Sequence, residues 1–332
     1  VLPAFTAALS LLLGFLAVER LTEPWARLML RKGICGRDVH KPDRPLIPEM
    51  GGVTIVVGLA VGMGFFTALN PEFSLTAAAF LSTVVVAAVV GVVDDWLRPL
   101  SPLEKVAAVT LAALPLLILG MYTPYPVLPF VGGLRLTLIY PFIFMPLLVT
   151  VLANSVNMLD VLNGSMAGTS TISALFLTLI AVLFSQWETA FLLGLLAACT
   201  YGFYRHNRYP AEVFPGDGGS LAVGAAFAAA AIIGRLEVLT LIVLLPALIN
   251  GSLILSSLGR LVERRGIKER PTLLVAGPRI AASPSRQAPV TLTRLMVASQ
   301  PLREEEVVRG FMALNLLTGA LALATALFML GG

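Results

Sequence analysis

Ten apolar runs, each close to the roughly 20 residues that cross a bilayer as a helix, leave this chain few ways to fold. They lie at 2–18, 50–69, 74–93, 103–120, 136–153, 165–185, 188–204, 219–233, 237–258 and 307–329. Backbone N–H and C=O groups in hydrocarbon must be paired within the protein, which favours helices. Composition agrees: 57% of the 332 residues are hydrophobic and 13% charged, against about 25% charged in soluble domains. The first run has no basic flank and no small-residue cleavage site, so it is expected to be a retained helix. The expected fold class is therefore all-α integral membrane, with ten transmembrane helices in a single domain over 1–332. One sizeable extramembrane loop, 259–306, separates helices 9 and 10. Within it, Thr272–Val275, the Gly277-Pro278 turn and Arg279-Ile280 predict a short β-hairpin, and Pro289–Val297 fits either a strand or a surface helix.

Charge fixes the expected orientation. Twenty of the 23 Lys and Arg residues fall after span 1, after span 9 or at the odd-numbered exits between; only Arg135 and Arg235 fall on the other side, and Arg309 lies at the last boundary. By the positive-inside rule the odd exits are cytoplasmic and both termini lie outside. Basic loops of this kind attract anionic lipid headgroups and phosphates, so membrane lipids are expected partners and nucleic acid is not. Cys35 and Cys199 fall in different environments, which excludes a disulfide framework or a thiolate metal site.

Three acidic sites then fall on the cytoplasmic side without having been used to place it: Asp94-Asp95, the run Asn154–Gly164, and Asp217. An acid at membrane depth costs several kcal/mol unless solvated, paired or bound to a cation, so three together suggest a built polar site. Asp94 and Asp95 end a span, where a helix terminus prefers cations. They are either interfacial carboxylates marking the helix end or members of the site. Asn154, Asn157, Asp160 and Asn163 recur every three residues; if helical they share one drifting face of oxygen donors, and otherwise they form a capped turn. Asp217, flanked by Gly216 and Gly218, precedes a span whose N-terminus favours an anion, though an ordinary N-cap would look the same. No Walker motif is present. The proline-rich segment Asp38–Gly52 reads as a stiff loop whose cations suit phosphate, with His40 more simply a surface residue.

Together these segments resemble the polyprenyl-phosphate N-acetylhexosamine-1-phosphate transferase superfamily, and within it most the dolichol-type branch of eukaryotes and archaea. The resemblance rests on four ordered motifs. They are Ile34–Lys41 with Ile47-Pro48-Glu49; the pair Asp94-Asp95; Asn154, Asn157, Asn163-Gly164 and Ala167-Gly168; and Phe214 with Gly216-Asp217. It implies Asn157 and Asp217 as ligands of Mg2+, with Mn2+ as an alternative. It also implies a nucleotide pocket lined by Arg37, Asp38, Val39, Glu49, Asn163 and Phe214, with Asn154 in the same motif. Lys105 resembles the family lysine that meets the lipid phosphate, one residue farther from Asp95 than the pattern has it. Lys268 and Arg270 lie nearest an arginine-rich sugar-binding motif. Val161 stands where a glycine is expected, and no histidine follows His206, unlike the bacterial translocase branch.

The implied reaction moves GlcNAc-1-phosphate from UDP-GlcNAc to a dolichyl or polyprenyl phosphate, releasing UMP. Asp94, Asp95 and Lys105 would be catalytic; the acidic pair either removes a residual proton from the lipid phosphate or positions Lys105 and the metal. A homodimer is compatible with the resemblance, and the compact loops lean toward a prokaryotic cell membrane. Rival readings are another UDP-HexNAc or UDP-MurNAc-pentapeptide donor, and a transporter of lipid-linked sugars. Transporters usually hold their polar site at mid-membrane rather than at span ends.

Overall fold

The computed structural model describes residues 4–97, 100–129, 131–259, 269–275 and 277–331. In chain order its helices are α1 (Ala4–Arg31), α2 (Val53–Leu69), α3 (Ser74–Val92), α4 (Pro102–Thr110), α5 (Leu114–Ile118), α6 (Met145–Leu159), α7 (Ser165–Leu183), α8 (Trp187–Asn207), α9 (Gly216–Ile233), α10 (Glu237–Val243), α11 (Leu245–Leu258), α12 (Leu292–Met296) and α13 (Glu304–Gly331). Three small sheets complete it: β1 (Cys35–Arg37) with β2 (Leu46–Pro48), β3 (Val127–Leu128) with β4 (Gly132–Gly133), and β5 (Thr272–Val275), β6 (Arg279–Ala282) and β7 (Leu302–Arg303) in that order.

Among the described residues, six helical stretches are long and apolar enough to cross a membrane: α1, Pro71–Leu97, Tyr140–Leu159, α7, α9 and α13. A seventh arises if α10 and α11, bent by 74° at their break, count as one span. The ten predicted runs are helical, but not all as uninterrupted spans. The run 103–120 is split into α4, a 3-10 turn and α5, where Pro115 supplies no backbone donor and crowds the preceding turn. The bend before α11 lies next to Pro246. The run 50–69 is the 17-residue α2, and 188–204 is α8, polar at both ends through Glu188 and Arg205-His206-Asn207.

Burial ranks the helices. In α9, 83% of the span window is buried, against 17% in α1 and 22% in α13, so α9 is the axis of the bundle. Its sequence suits that place, because Gly, Ala and Ser let neighbouring backbones approach closely where lipid supplies no hydrophobic drive between helices. Gly91 shows the closeness: a methyl group there would overlap the backbone of Asp217 and Gly218, so the end of α3 lies directly on the start of α9. Gly91→Val is accordingly expected to cost about 1–3 kcal/mol by overpacking. It should also push Asp217 out of place, lowering melting temperature and turnover together. A variant with wild-type turnover would show that this contact does not set the position of Asp217.

The hairpin β5–β6 pairs Thr272 with Ala282 and Val275 with Arg279, and β7 extends it from just before α13. The segment 289–297, open between strand and helix in the sequence, forms α12, started by the Thr291 hydroxyl accepting from Arg294 N at 3.0 Å. The proline-rich segment is a hairpin stitched to the approach of α9. Phe214 N donates to Pro48 O at 2.8 Å, and Gly51 N and Gly52 N donate to Phe214 O and Pro215 O, each at 2.9 Å.

Candidate active site at the α3, α4, α6 and α9 ends

Four helix ends bring the predicted acids and their partners together. Beyond Val92, α3 widens into a π-helical turn, Val93–Leu97. Such turns carry one residue more than an α turn and recur at functional sites. The turn gives its adjacent acids separate partners. Asp94 Oδ1 accepts from Leu100 N at 2.6 Å and Oδ2 from Lys105 Nζ at 3.1 Å. Asp95 Oδ2 accepts from Gly218 N at 3.2 Å, at the start of α9. The N-terminal capping function that the sequence left open for Asp217 therefore falls to Asp95, and Asp217 is free for other partners.

Lys105 lies in the first turns of α4. A capping box starts that helix: Ser101 Oγ accepts from Glu104 N at 3.3 Å and Glu104 Oε2 from Ser101 N at 2.8 Å, with Pro102 leading the first turn. Its Nζ bridges Asp94 and Asp217 Oδ2. The longer Asp95–Lys105 spacing does not pull the lysine away. Asn157, in the last turn of α6, donates Nδ2 to Asp217 Oδ1 at 2.8 Å and to Ser220 Oγ at 2.7 Å. The Ser220 hydroxyl in turn donates to Gly216 O at 3.0 Å. Asp217 is thus the node, one oxygen on Asn157 and the other on Lys105. Among the described residues no cluster of three or more His, Cys, Asp or Glu is arranged to hold a metal. What this site offers a cation is one carboxylate and one amide, and any further oxygens must come from a ligand.

The motif after Asn157 does not continue as one helical face. α6 stops at Leu159, Asp160 forms its C-cap, and Gly164 at φ +82° turns the chain into α7. A left-handed residue there suits glycine. Asn163 is therefore carried into a neighbouring cleft that is partly open to solvent. Five residues expected to line the nucleotide pocket do line this cleft: Arg37, Asp38, Val39, Asn163 and Phe214. The other residues expected to bind substrate are placed elsewhere or fall outside the described residues. Asn154 donates to Thr150 O of its own helix at 2.8 Å; Glu49 packs on Gly36 in the β1–β2 hairpin; Arg270 is exposed just before β5. Lys268 lies outside the described residues.

Asp38 anchors the cleft. Its Oδ2 accepts from Lys41 Nζ at 2.8 Å and Asn163 Nδ2 at 2.9 Å, and its Oδ1 from His40 N at 3.2 Å. Burial pushes this carboxyl upward, but the hydrogen bonds from Lys41 and Asn163 and the charge of Lys41 outweigh it and hold it below the usual range. A folded value below the unfolded one gives stability that is complete above about pH 4 and lost as pH falls through the lowered value. The melting-temperature gap between wild type and Asp38→Asn should stay level at neutral pH and narrow in acid. A gap that widens in acid would contradict this sign.

Three residues here carry no signal strong enough to be singled out in the sequence. Ser220 stands one turn after Asp217. Asn207, the buried polar end of α8, accepts from Gly164 N at 3.2 Å and donates to Val213 O at 2.9 Å, tying the two motif loops together. Glu304 opens α13 and accepts from Asn163 N at 2.6 Å through Oε1.

The class these features define is a multi-pass membrane protein with an ion-paired acidic site at one end of its bundle and a polar cleft beside it. Residues 77–235, a window containing Asp94, Lys105, Asn157 and Asp217, match the model of glycosyl transferase family 4. The chain is 29% identical over 293 residues to a provisionally named glycosyltransferase of Methanocaldococcus jannaschii, covering 88% of each chain. It is 28% identical over 250 residues to a protein of Sulfolobus acidocaldarius, provisionally named a UDP-N-acetylglucosamine–dolichyl-phosphate N-acetylglucosaminephosphotransferase, covering 73% of this chain and 75% of that one. To a phospho-N-acetylmuramoyl-pentapeptide-transferase of Desulforamulus reducens it is 30% identical over 210 residues, covering 59% and 63%. The similarity, over these segments, is to the phosphosugar transferases of glycosyl transferase family 4.

Proposed function

We propose that this protein transfers GlcNAc-1-phosphate from UDP-GlcNAc to a dolichyl or polyprenyl phosphate, giving polyprenyl-diphospho-GlcNAc and UMP, the first step of lipid-linked oligosaccharide assembly. The observation that carries this reading is the meeting of Lys105, Asn157 and Asp217 beside the Phe214 cleft. A nucleotide in that cleft would direct its diphosphate toward Asp217, three residues from Phe214. An oxygen of the lipid phosphate attacks the phosphorus that bears the sugar. The bond from that phosphorus to the bridging oxygen breaks, and its electron pair leaves with UMP.

Each residue has a part in that step. Both reactants are anions, so Lys105 lowers their repulsion and stabilises negative charge on the departing phosphate. Asp94 holds Lys105 in place, and Asp95 fixes the start of α9 and with it Asp217. The donor set fits a hard divalent cation, because the Asp217 carboxylate and the Asn157 amide oxygen leave room for diphosphate oxygens, the ligation that Mg2+ favours. Mg2+, or Mn2+ in its place, would supply Lewis-acid stabilisation of the diphosphate when bound. In this proposal the ten helical runs cross the cell membrane, with the site at the cytoplasmic face and both termini outside, as the basic loops favour.

Purified protein should convert radiolabelled UDP-GlcNAc and polyprenyl phosphate to a chloroform-soluble product, and lose that activity to a chelator until Mg2+ is restored. UDP-GalNAc and UDP-MurNAc-pentapeptide, run in parallel, decide the sugar. No lipid product from any donor and several lipids would reject the transferase reading.

A further inference from the structure

Glu304 is a buried acid with no duty in its own helix. α13 opens with three consecutive glutamates, and capping at its start is performed by Glu306, whose Oε2 accepts from Arg303 N at 2.7 Å. Glu304 turns away from that end. It is 3% exposed, and its Oε1 reaches the backbone N–H of Asn163, which is 141 positions away in sequence. Its Oε2 is buried and has no hydrogen-bond partner among the described residues, and Glu304 is one of the residues that line the Phe214 cleft.

Beside it stands a second unsatisfied acceptor. Asn163 donates Nδ2 to Asp38 at 2.9 Å, and because a carboxylate only accepts, this fixes which end of the amide is the oxygen. Asn163 Oδ1 is then also buried without a partner among the described residues, in a side chain 3% exposed. Two acceptors left unpaired in one buried corner are costly, and the cost is recovered when a ligand brings hydrogen donors to them. A phosphate cannot do that, since at neutral pH it presents acceptors. The corner therefore repels the diphosphate and suits the nucleoside half of a sugar nucleotide.

On the reading given above, we propose that Glu304 is a nucleoside-recognition residue, its Oε2 accepting a hydrogen bond from the nucleoside. The shared chemistry is a neutral N–H or O–H donor, which in uridine is either a ribose hydroxyl or the imide N–H. The same contact, with the repulsion of phosphate, sets which way round the sugar nucleotide lies: nucleoside at Glu304, diphosphate at Lys105 and Asp217.

Binding of UMP, 2′-deoxy-UMP, 3′-deoxy-UMP and N3-methyl-UMP to the detergent-purified full chain and to Glu304→Gln tests this without relying on turnover. Glutamine keeps the volume and an acceptor for Asn163 N–H while replacing the second acceptor by an amide donor. Glu304→Gln is expected to bind UMP about tenfold or more weakly, at a melting temperature no lower than that of the wild type. One analogue should bind the wild type about tenfold more weakly than UMP, and that penalty should largely vanish in the variant. A deoxy analogue behaving so identifies a ribose hydroxyl, and the N3-methyl analogue the imide. The inference is overturned if the variant binds UMP as the wild type does, if the penalty persists in full, or if all three analogues match UMP on the wild type. That last comparison needs no variant, so it holds even where Glu304→Gln does not fold. Wild type that binds no UMP removes the nucleotide reading itself, and this inference with it; wild type that binds UMP indifferently to Glu304 removes this inference alone.

Discussion

Asp217→Asn is expected to lower turnover by about 10³-fold while leaving the fold in place. The substitution keeps shape and an oxygen for Asn157 to donate to, so the Asn157–Asp217 hydrogen bond at 2.8 Å can persist. What it removes is the charge that holds Lys105 against α9 and that a divalent cation would need. Lys105 retains Asp94 as its partner at 3.1 Å, so no buried cation is stranded and stability should change little. Steady-state rates with a melting curve on the same preparation decide the matter. Turnover within tenfold of wild type would remove Asp217 from the centre of the mechanism.

Lys105→Met should fail in a different way. The ammonium is the only cation seen bridging Asp94 and Asp217 among the described residues, and all three side chains are largely buried, at 14%, 8% and 27% exposure. Removing it strands two carboxylates in one site, a change that typically costs about 3–5 kcal/mol where a buried pair is broken. Turnover should also fall by about 10²–10³-fold through loss of transition-state charge stabilisation. The double variant Lys105→Met with Asp94→Asn separates these effects. Removing one stranded charge should restore most of the melting temperature and none of the turnover. If the double variant also regains activity, Lys105 serves the fold alone and the proposed attack on a diphosphate would need another cation.

Much of the architecture could be read from the chain because it follows from local chemistry. Apolar length marks the helical runs, and the Gly277-Pro278 turn between β-forming stretches marks the β5–β6 hairpin. The polar runs at span ends mark Asn157, Asp217 and the Asp94-Asp95 pair. Where the reading stops, a longer-range cause is visible. The spacing of Asn154, Asn157, Asp160 and Asn163 suggests one helical face, but α6 ends at Leu159, and the left-handed Gly164 sends Asn163 to the cleft instead. Continuous apolar runs gave no warning that Pro115 and Pro246 would accompany breaks, since membrane helices often tolerate proline. Glu304 is one acid among three at the start of α13, and only its reach to Asn163 singles it out.

By itself the sequence determined that this is a helical membrane protein with acidic and amide groups gathered at span ends, because burial of apolar length and the cost of unpaired charge act on each segment separately. Tertiary structure alone decided how those groups divide their work. The π turn aims Asp94 at Lys105 and Asp95 at α9, and the absence of a side chain at Gly91 lets α3 meet α9. Hydrogen bonds made across more than a hundred residues of chain choose the partners of Asp217 and Asn163. No local pattern encodes such pairings, because each depends on how two distant helices pack.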